Sequence, residues 1–184
     1  ASAASNYGAG IRTTNTAGTH LNLTLKNNIV YMDLSSSSGP TVRYYCASGT
    51  AAAYNWGTGG SNNNDFYYNT GNVQCLTGGL GTTSGLTNTT QFTTLANWQT
   101  AYTPAQDGAS IQADPGFVST TDLHINLGST AVNNVGTTTG VTCTVDFDNA
   151  TRSLTTPDIG ADEYTPLVCA GAAGGTIAPA TVSA

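Results

Sequence analysis

The chain has 184 residues, enough for one sizeable core or one solenoid segment and short for two independent domains. Only 8% of the residues are charged, Lys26 is the one lysine, and Thr, Asn, Gly, Ser and Ala supply the polar surface, a profile unlike that of helical proteins that lean on Glu and Lys. A formal net charge of -6 with no Lys/Arg stripe argues against nucleic acid as a partner, and no run of about eighteen apolar residues is present to span a membrane.

Thr, Gly and Asn at this density would suit a disordered chain, but 39% hydrophobic residues and nine tyrosines predict a buried core built from β structure with many uncharged turns. In chain order, Gly8-Ala9-Gly10-Ile11 reads as a small-residue corner before a strand. Leu21, Leu23 and Leu25 alternate with Asn22 and Thr24, the period of a strand with one buried face. Asn27-Asn28 follows as a corner, because Asn tolerates left-handed backbone and bonds its own main chain. Ile29 to Leu34 and Thr41 to Cys46 are the next strands. Ala47 to Gly60 reads as a surface excursion with Tyr54-Asn55-Trp56 packing back, and Ser61 to Tyr68 as an Asn/Asp turn feeding an aromatic strand. Thr77 to Thr90 has no periodicity and is expected to be a loop leading to a helix over Thr94 to Ala101. Further strands are expected at Leu123-Ile125-Leu127, at Val141 to Phe147 and, last, at Asp158 to Tyr164.

Four cysteines, Cys46, Cys75, Cys143 and Cys169, stand far apart with no Cys-x-x-Cys and no His at zinc-ligand spacing. Two disulfides in an exported protein are the natural hypothesis, with Cys46–Cys75 and Cys143–Cys169 preferred for their shorter loops; buried free thiols are the alternative. No charged n-region with an apolar h-region opens the sequence, so an export signal is expected to lie upstream or to have been removed.

Four sets of words carry a family resemblance. Leu95-Ala96-Asn97-Trp98-Gln99 is followed by Asp114-Pro115-Gly116-Phe117, and the chain then runs through Asp146-Phe147-Asp148-Asn149 and Arg152 to Asp158-Ile159-Gly160-Ala161-Asp162-Glu163-Tyr164. Together they resemble the C-terminal region of right-handed parallel β-helices of the pectate-lyase-like superfamily, as found in secreted and cell-surface proteins of Bacteroidetes-type bacteria. The resemblance is strong from Leu95 to Tyr164 and looser from Gly8 onward. It implies an all-β solenoid over residues 1–164 with a short helix and long loops, the structural residues being Trp98, Asp114, Pro115, Phe117, Arg152, Asp158 and Glu163. Residues 165–184 resemble a linker and the start of an immunoglobulin-like repeat, with an unstructured tail as the alternative, so a longer parent protein is expected. A β-sandwich is the alternative fold.

Catalytic chemistry has little to work with. A glycosidase needs two carboxyl groups flanking the bond, whereas Asp33, Asp65 and Asp107 are isolated in sequence. Lyase chemistry needs a base beside a uronate, and Lys26, Arg12, Arg43 and Arg152 are the only candidates, with Arg43 next to Tyr44. Asp146 and Asp148 could begin a calcium loop, or Arg152 could pair with Asp148, Asp158 or Glu163 and pin a terminal hairpin. His20 and His124 read as partly exposed strand residues. Asn22, Asn88 and Asn149 fit the glycosylation pattern, which matters only in a secretory host. Tyr44, Tyr54, Trp56, Tyr67 and Tyr68 could form an aromatic row for sugar rings, or could pack the 47–60 excursion onto the body.

The expectation is therefore an extracellular or cell-surface module with no catalytic residues and no cofactor beyond possible calcium. Its partners would be a polysaccharide or surface ligand and the secretion machinery of its cell, of the type IX kind in similar proteins. Carbohydrate binding, or a lyase or hydrolase with active coils elsewhere, are the alternatives.

Overall fold

The computed structural model describes residues 7–13, 20–21, 24–32, 41–47, 54–55, 60–68, 74–75, 94–101 and 106–167. Four strands come first: β1 (Tyr7–Thr13), β2 (His20–Leu21), β3 (Leu25–Lys26) and β4 (Ile29–Met32). Four more repeat the sequence of lengths, β5 (Thr41–Ala47), β6 (Tyr54–Asn55), β7 (Ser61–Asn62) and β8 (Asp65–Tyr68), before β9 (Gln74–Cys75) and helix α1 (Leu95–Ala101). Each strand of the first passage lies parallel to its counterpart in the second, and β9 adds to β5. Tyr7 pairs with Thr41, His20 with Tyr54, Leu25 with Ser61 and Ile29 with Asp65, so the chain returns beside itself after about three dozen residues. Parallel neighbours require such a long connection, because a tight hairpin would reverse the strand. A third passage joins through the parallel bridge Asp65–Ile111, with Asp107 N donating to Ser61 O at 2.7 Å and Ile111 N to Asn64 O at 2.8 Å.

The corners explain the register. Asn27 and Asn63 occupy equivalent positions of the two passages and both have left-handed backbone, φ 56° and 54°. The asparagine expected to bend the chain at 27 does so. Behind each corner Asn28 and Asn64, 36 residues apart, stack: Asn28 N and Nδ2 both donate to Asn64 Oδ1, at 3.0 and 2.9 Å.

Several expectations are displaced. Gly8 to Ile11 lies within β1 and forms no corner, and the Leu21–Leu25 alternation yields two short strands, β2 and β3. Tyr54-Asn55 is β6, paired with β2, so it belongs to the ladder. The 77–90 loop and residues 168–184 lie outside the described residues. Helix α1 forms where expected, with Thr94 as its N-cap: Asn97 N donates to Thr94 Oγ1 at 3.1 Å.

Residues 106–167 are held differently. The strands expected at 123–127, 141–147 and 158–164 are replaced by turns and two isolated antiparallel bridges, Phe117–Ile125 and Val145–Thr151. Of the alternating trio, Ile125 is 3% exposed while Leu123 and Leu127 are 61% and 44% exposed. The reason is that side chains take amides which a neighbouring strand would otherwise take: Ile125 N donates to Asp162 Oδ2 (2.8 Å), Tyr164 N to Asp158 Oδ2 (2.9 Å) and Ser153 N to Glu163 Oε1 (2.9 Å).

Ile125, Val132 and Ile159 form a buried cluster, and Ile29, Ile111, Phe117 and Tyr164 pack against it. Each fully buried aliphatic side chain contributes about 1.5–3 kcal/mol, so this cluster fastens the C-terminal segment to β4 and to the third passage. Gly160 fits it closely. A β-carbon there would stand 2.6 Å from Ile29 Cδ1, and its φ of 108° is one that side-chain-bearing residues avoid.

Candidate functional site

The word Leu-Ala-x-Trp-Gln has a clear local purpose. Trp98, buried, donates from Nε1 to Asp107 Oδ2 at 2.6 Å, while Gln99 Nε2 donates to Asp107 O at 2.7 Å. Asp107 Oδ1 in turn accepts from Ser61 Oγ (2.9 Å), Ser110 Oγ (2.6 Å) and Asn64 Nδ2 (3.1 Å). One fully buried carboxylate therefore binds the helix, the second passage and the third, and its role is structural. The sequence reading passed over Asp107 as isolated; the turn signal Asp107-Gly108, with Ser110 three residues on, was the available clue.

Arg152 is buried and organises the C-terminal end. Its Nη1 donates to Gly160 O (2.9 Å), its Nη2 to Asp158 O (2.6 Å), and its Nε lies 3.4 Å from Glu163 Oε2. Glu163 Oε2 also accepts from Asp158 N (3.0 Å), and Asp158 Oδ1 accepts from Asn134 N (2.6 Å). Burial pushes the Asp158 carboxyl above its ordinary range. Of the three partners proposed for Arg152, the structure pairs it with Glu163 through charge and with Asp158 through the main chain.

Asp146 and Asp148 send their carboxylates to different partners. Asp146 Oδ1 accepts from Asp148 N (2.9 Å) and Ala150 N (2.8 Å), and its Oδ2 accepts from Glu163 N (3.3 Å). Asp148 points elsewhere, with Oδ2 2.8 Å from His124 Nε2. The two carboxylates thus serve separate contacts.

His124 lies between two carboxylates, which the sequence reading missed although Asp122 stands two residues before it. Its Nδ1 is 2.5 Å from Asp122 Oδ1, its Nε2 meets Asp148, and its ring lies 4.7 Å from that of Phe147. The Asp122 hydrogen bond first, then Asp148, raises the imidazole pKa to about 9, and His124 holds Asp122 below the usual carboxylate range. His124 is partly exposed but sits in a turn; His20 stands on β2, and its side chain lies outside the described residues.

Asp65 is the unusual titratable group. Ile29 and Ile111 flank it in the ladder; it is fully buried, and Oδ1 accepts from Ala113 N at 3.0 Å while Oδ2 has no partner. Burial drives its pKa up to about 7.

Of the expected aromatic row, Tyr44, Tyr54 and Tyr68 fall on β5, β6 and β8 with side chains outside the described residues, as is the whole of Trp56. Tyr67 is described, and its ring centroid lies 5.7 Å from that of Tyr31, its register partner. Tyr31 in turn meets Phe117 edge-on at 5.5 Å and 64°. Phe117 is placed by the Asp114-Pro115-Gly116 turn, where Gly116 N donates to Asp114 Oδ1 at 2.9 Å and Pro115 is buried. Gly116 has φ 74°, and a β-carbon there would meet Ser129 Cβ at 2.8 Å. Tyr31, Phe117, Leu123, Asp114, Gly116, Ser119 and Thr120 line an open cleft of 520 Å³. Tyr31 and Phe117 were not in the expected row, because they come together only when the C-terminal segment docks on β4.

Of the cysteines, Cys46 and Cys75 fall on β5 and β9 with side chains outside the described residues. Cys143 is free and exposed, its Sγ 2.9 Å from Val145 O, and Cys169 lies outside the described residues. Cys75 stands opposite Arg43, three positions along β5 from Cys46.

Comparison with protein-family models, curated proteins and solved structures finds no significant match. No described helix is long and apolar enough to cross a membrane.

Proposed function

We propose that the chain is a right-handed parallel β-helix module of an exported protein that acts at the cell surface without catalysis, as an adhesive or structural element. The parallel, in-order pairing of β1–β4 with β5–β8 supports the solenoid. The observation that carries the non-catalytic reading is where the carboxylates go. Asp107, Asp146, Asp158, Asp162 and Glu163 accept hydrogen bonds from backbone amides or from the side chains of neighbouring passages. A general acid or base needs a carboxyl group free to meet a substrate proton; these are engaged in holding loops. Asp65 has a free oxygen but is buried, and the exposed Asp114 is engaged through Oδ1 alone, by the Gly116 amide.

The test is reducing-end release from a panel of neutral and uronate polysaccharides, with and without calcium. No release is expected from any member. Release would overturn the reading and direct mutagenesis to Asp65, Arg43 and Asp146. Export by the type IX route and residence at the cell surface belong to the same proposal and rest on the resemblance of Leu95 to Tyr164.

A further inference from the structure

We propose that the cleft between Tyr31, Phe117 and Leu123 binds a neutral saccharide. The inference gives the surface-module reading a ligand class, and rests on it only in requiring binding without turnover. At 520 Å³ the cleft is within the size range of small-ligand sites, about 300–1,000 Å³. Its lining combines two chemistries that a pyranose presents together: Tyr31 and Phe117 offer ring surface to the C–H face, and Asp114 and Thr120 offer polar groups to the hydroxyl edge.

The polar groups are available. Asp114 is exposed and uses Oδ1 for the Gly116 amide, which leaves Oδ2 to accept from sugar hydroxyls. Thr120 is exposed at the turn, whereas the Ser119 hydroxyl is occupied by Thr121 N (3.2 Å) and Asp122 N (3.0 Å). The aromatic wall is set in advance, since Tyr67 stands behind Tyr31 and Tyr31 meets Phe117 edge-on. Little ordering cost is therefore left for the binding step.

Charge decides the class of sugar. Asp114 lines the cleft, and no Lys or Arg stands among its described lining residues; Lys26 and Arg152 border a different groove, and Asp122 on the adjacent turn is engaged by His124. A uronate or sulfated glycan would bring its anion against the Asp114 carboxylate with no cation among the described lining residues, and like charges at close range are costly. A neutral hexose or N-acetylhexosamine chain meets no such penalty.

The experiment is calorimetric titration of the full chain with gluco-, manno-, xylo-, galacto- and chito-oligosaccharides and with oligogalacturonate, each tube also assayed for reducing ends. At least one neutral oligosaccharide is expected to bind at least tenfold tighter than oligogalacturonate. Leu123→Arg at the exposed rim and Tyr31→Leu in the wall should each weaken it at least tenfold, with melting temperatures near wild type for Leu123→Arg. Asp114→Asn should narrow the gap to oligogalacturonate. No binding by any neutral oligosaccharide, binding untouched by Leu123→Arg, or a preference for oligogalacturonate would each overturn the site. Reducing-end release together with binding would instead overturn the non-catalytic reading and leave the site in place.

Discussion

The passages that carry β1 to β8 and the segment from 106 to 167 solve the same problem by opposite means. In the first, main-chain groups bond to main-chain groups along parallel ladders, so many side chains could occupy a given position. In the second, the amides are met by Asp146, Asp158, Asp162 and Glu163, and carbonyl oxygens by Arg152. A ladder is tolerant of sequence, whereas a loop fastened by particular carboxylates is not. The seam between the two is small and specific, consisting of Ile29, Gly160, the Asn corners and the buried cluster around Val132.

The largest effect expected from this contrast is at Arg152. Arg152→Met leaves Asp158 O, Gly160 O and Glu163 without their cation, and should lower the unfolding free energy by about 3 kcal/mol, read from the urea midpoint; Arg152→Lys should fall between. Hydrogen exchange would sharpen the result. Amides of 125–164 should lose protection before those of β4 and β8, and simultaneous loss would merge the two regions into one cooperative unit.

Asp65 comes next. Its folded pKa of about 7 lies above the ordinary 3.8, so the folded state holds a proton that the unfolded chain has released. The stability it contributes is full below about pH 4, is lost as pH rises toward 7 and is flat above. Asp65→Asn should therefore be more stable than wild type at pH 8 by on the order of 2–4 kcal/mol and equal to it near pH 4. A constant difference across this range would sink the assignment.

Gly160→Ala should cost about 2 kcal/mol by pushing Ile29 out of the seam. Ile29→Ala in the same chain should recover part of that loss, because the clash goes but the left-handed backbone remains. Full additivity of the two changes would mean that the seam does not run through this pair. The smallest effect is at His124. With a folded pKa of about 9, raised from 6.5, its contribution is complete below pH 6.5 and disappears as pH rises through 9. The group is exposed and screened by salt, so NMR titration of the imidazole is the proper readout, and a midpoint near 6.5 would break the Asp122–His124–Asp148 contact.

This contrast also explains what could be read in advance. The words Leu95 to Gln99 and Asp158 to Glu163 stood out in the sequence because their side chains have specific partners: Trp98 and Gln99 address Asp107, and Glu163 addresses Arg152, Ser153 and Asp158. The Asn27 corner was legible because few residues accept its φ. Pairing was not legible, since Tyr54-Asn55 has no periodicity of its own and becomes a strand only beside His20-Leu21. The alternation at Leu123-Ile125-Leu127 misled for the converse reason: Asp162 takes the Ile125 amide, and the flanking leucines stay in water. The cleft was invisible for a third reason, as Tyr31 and Phe117 lie far apart in sequence and meet only through docking.

Asparagine, where glycine would have bent the chain as well, gives the two left-handed corners an outward reach. Asn27 Nδ2 donates to Thr137 O at 2.8 Å and its Oδ1 accepts from Thr137 N at 2.9 Å, while Asn63 Nδ2 donates to Val135 O at 2.9 Å. Each bend is thus also a socket for the overlying loop. A stack built this way addresses its own covering one passage at a time, and its outer loops can be exchanged without redrawing the strands beneath.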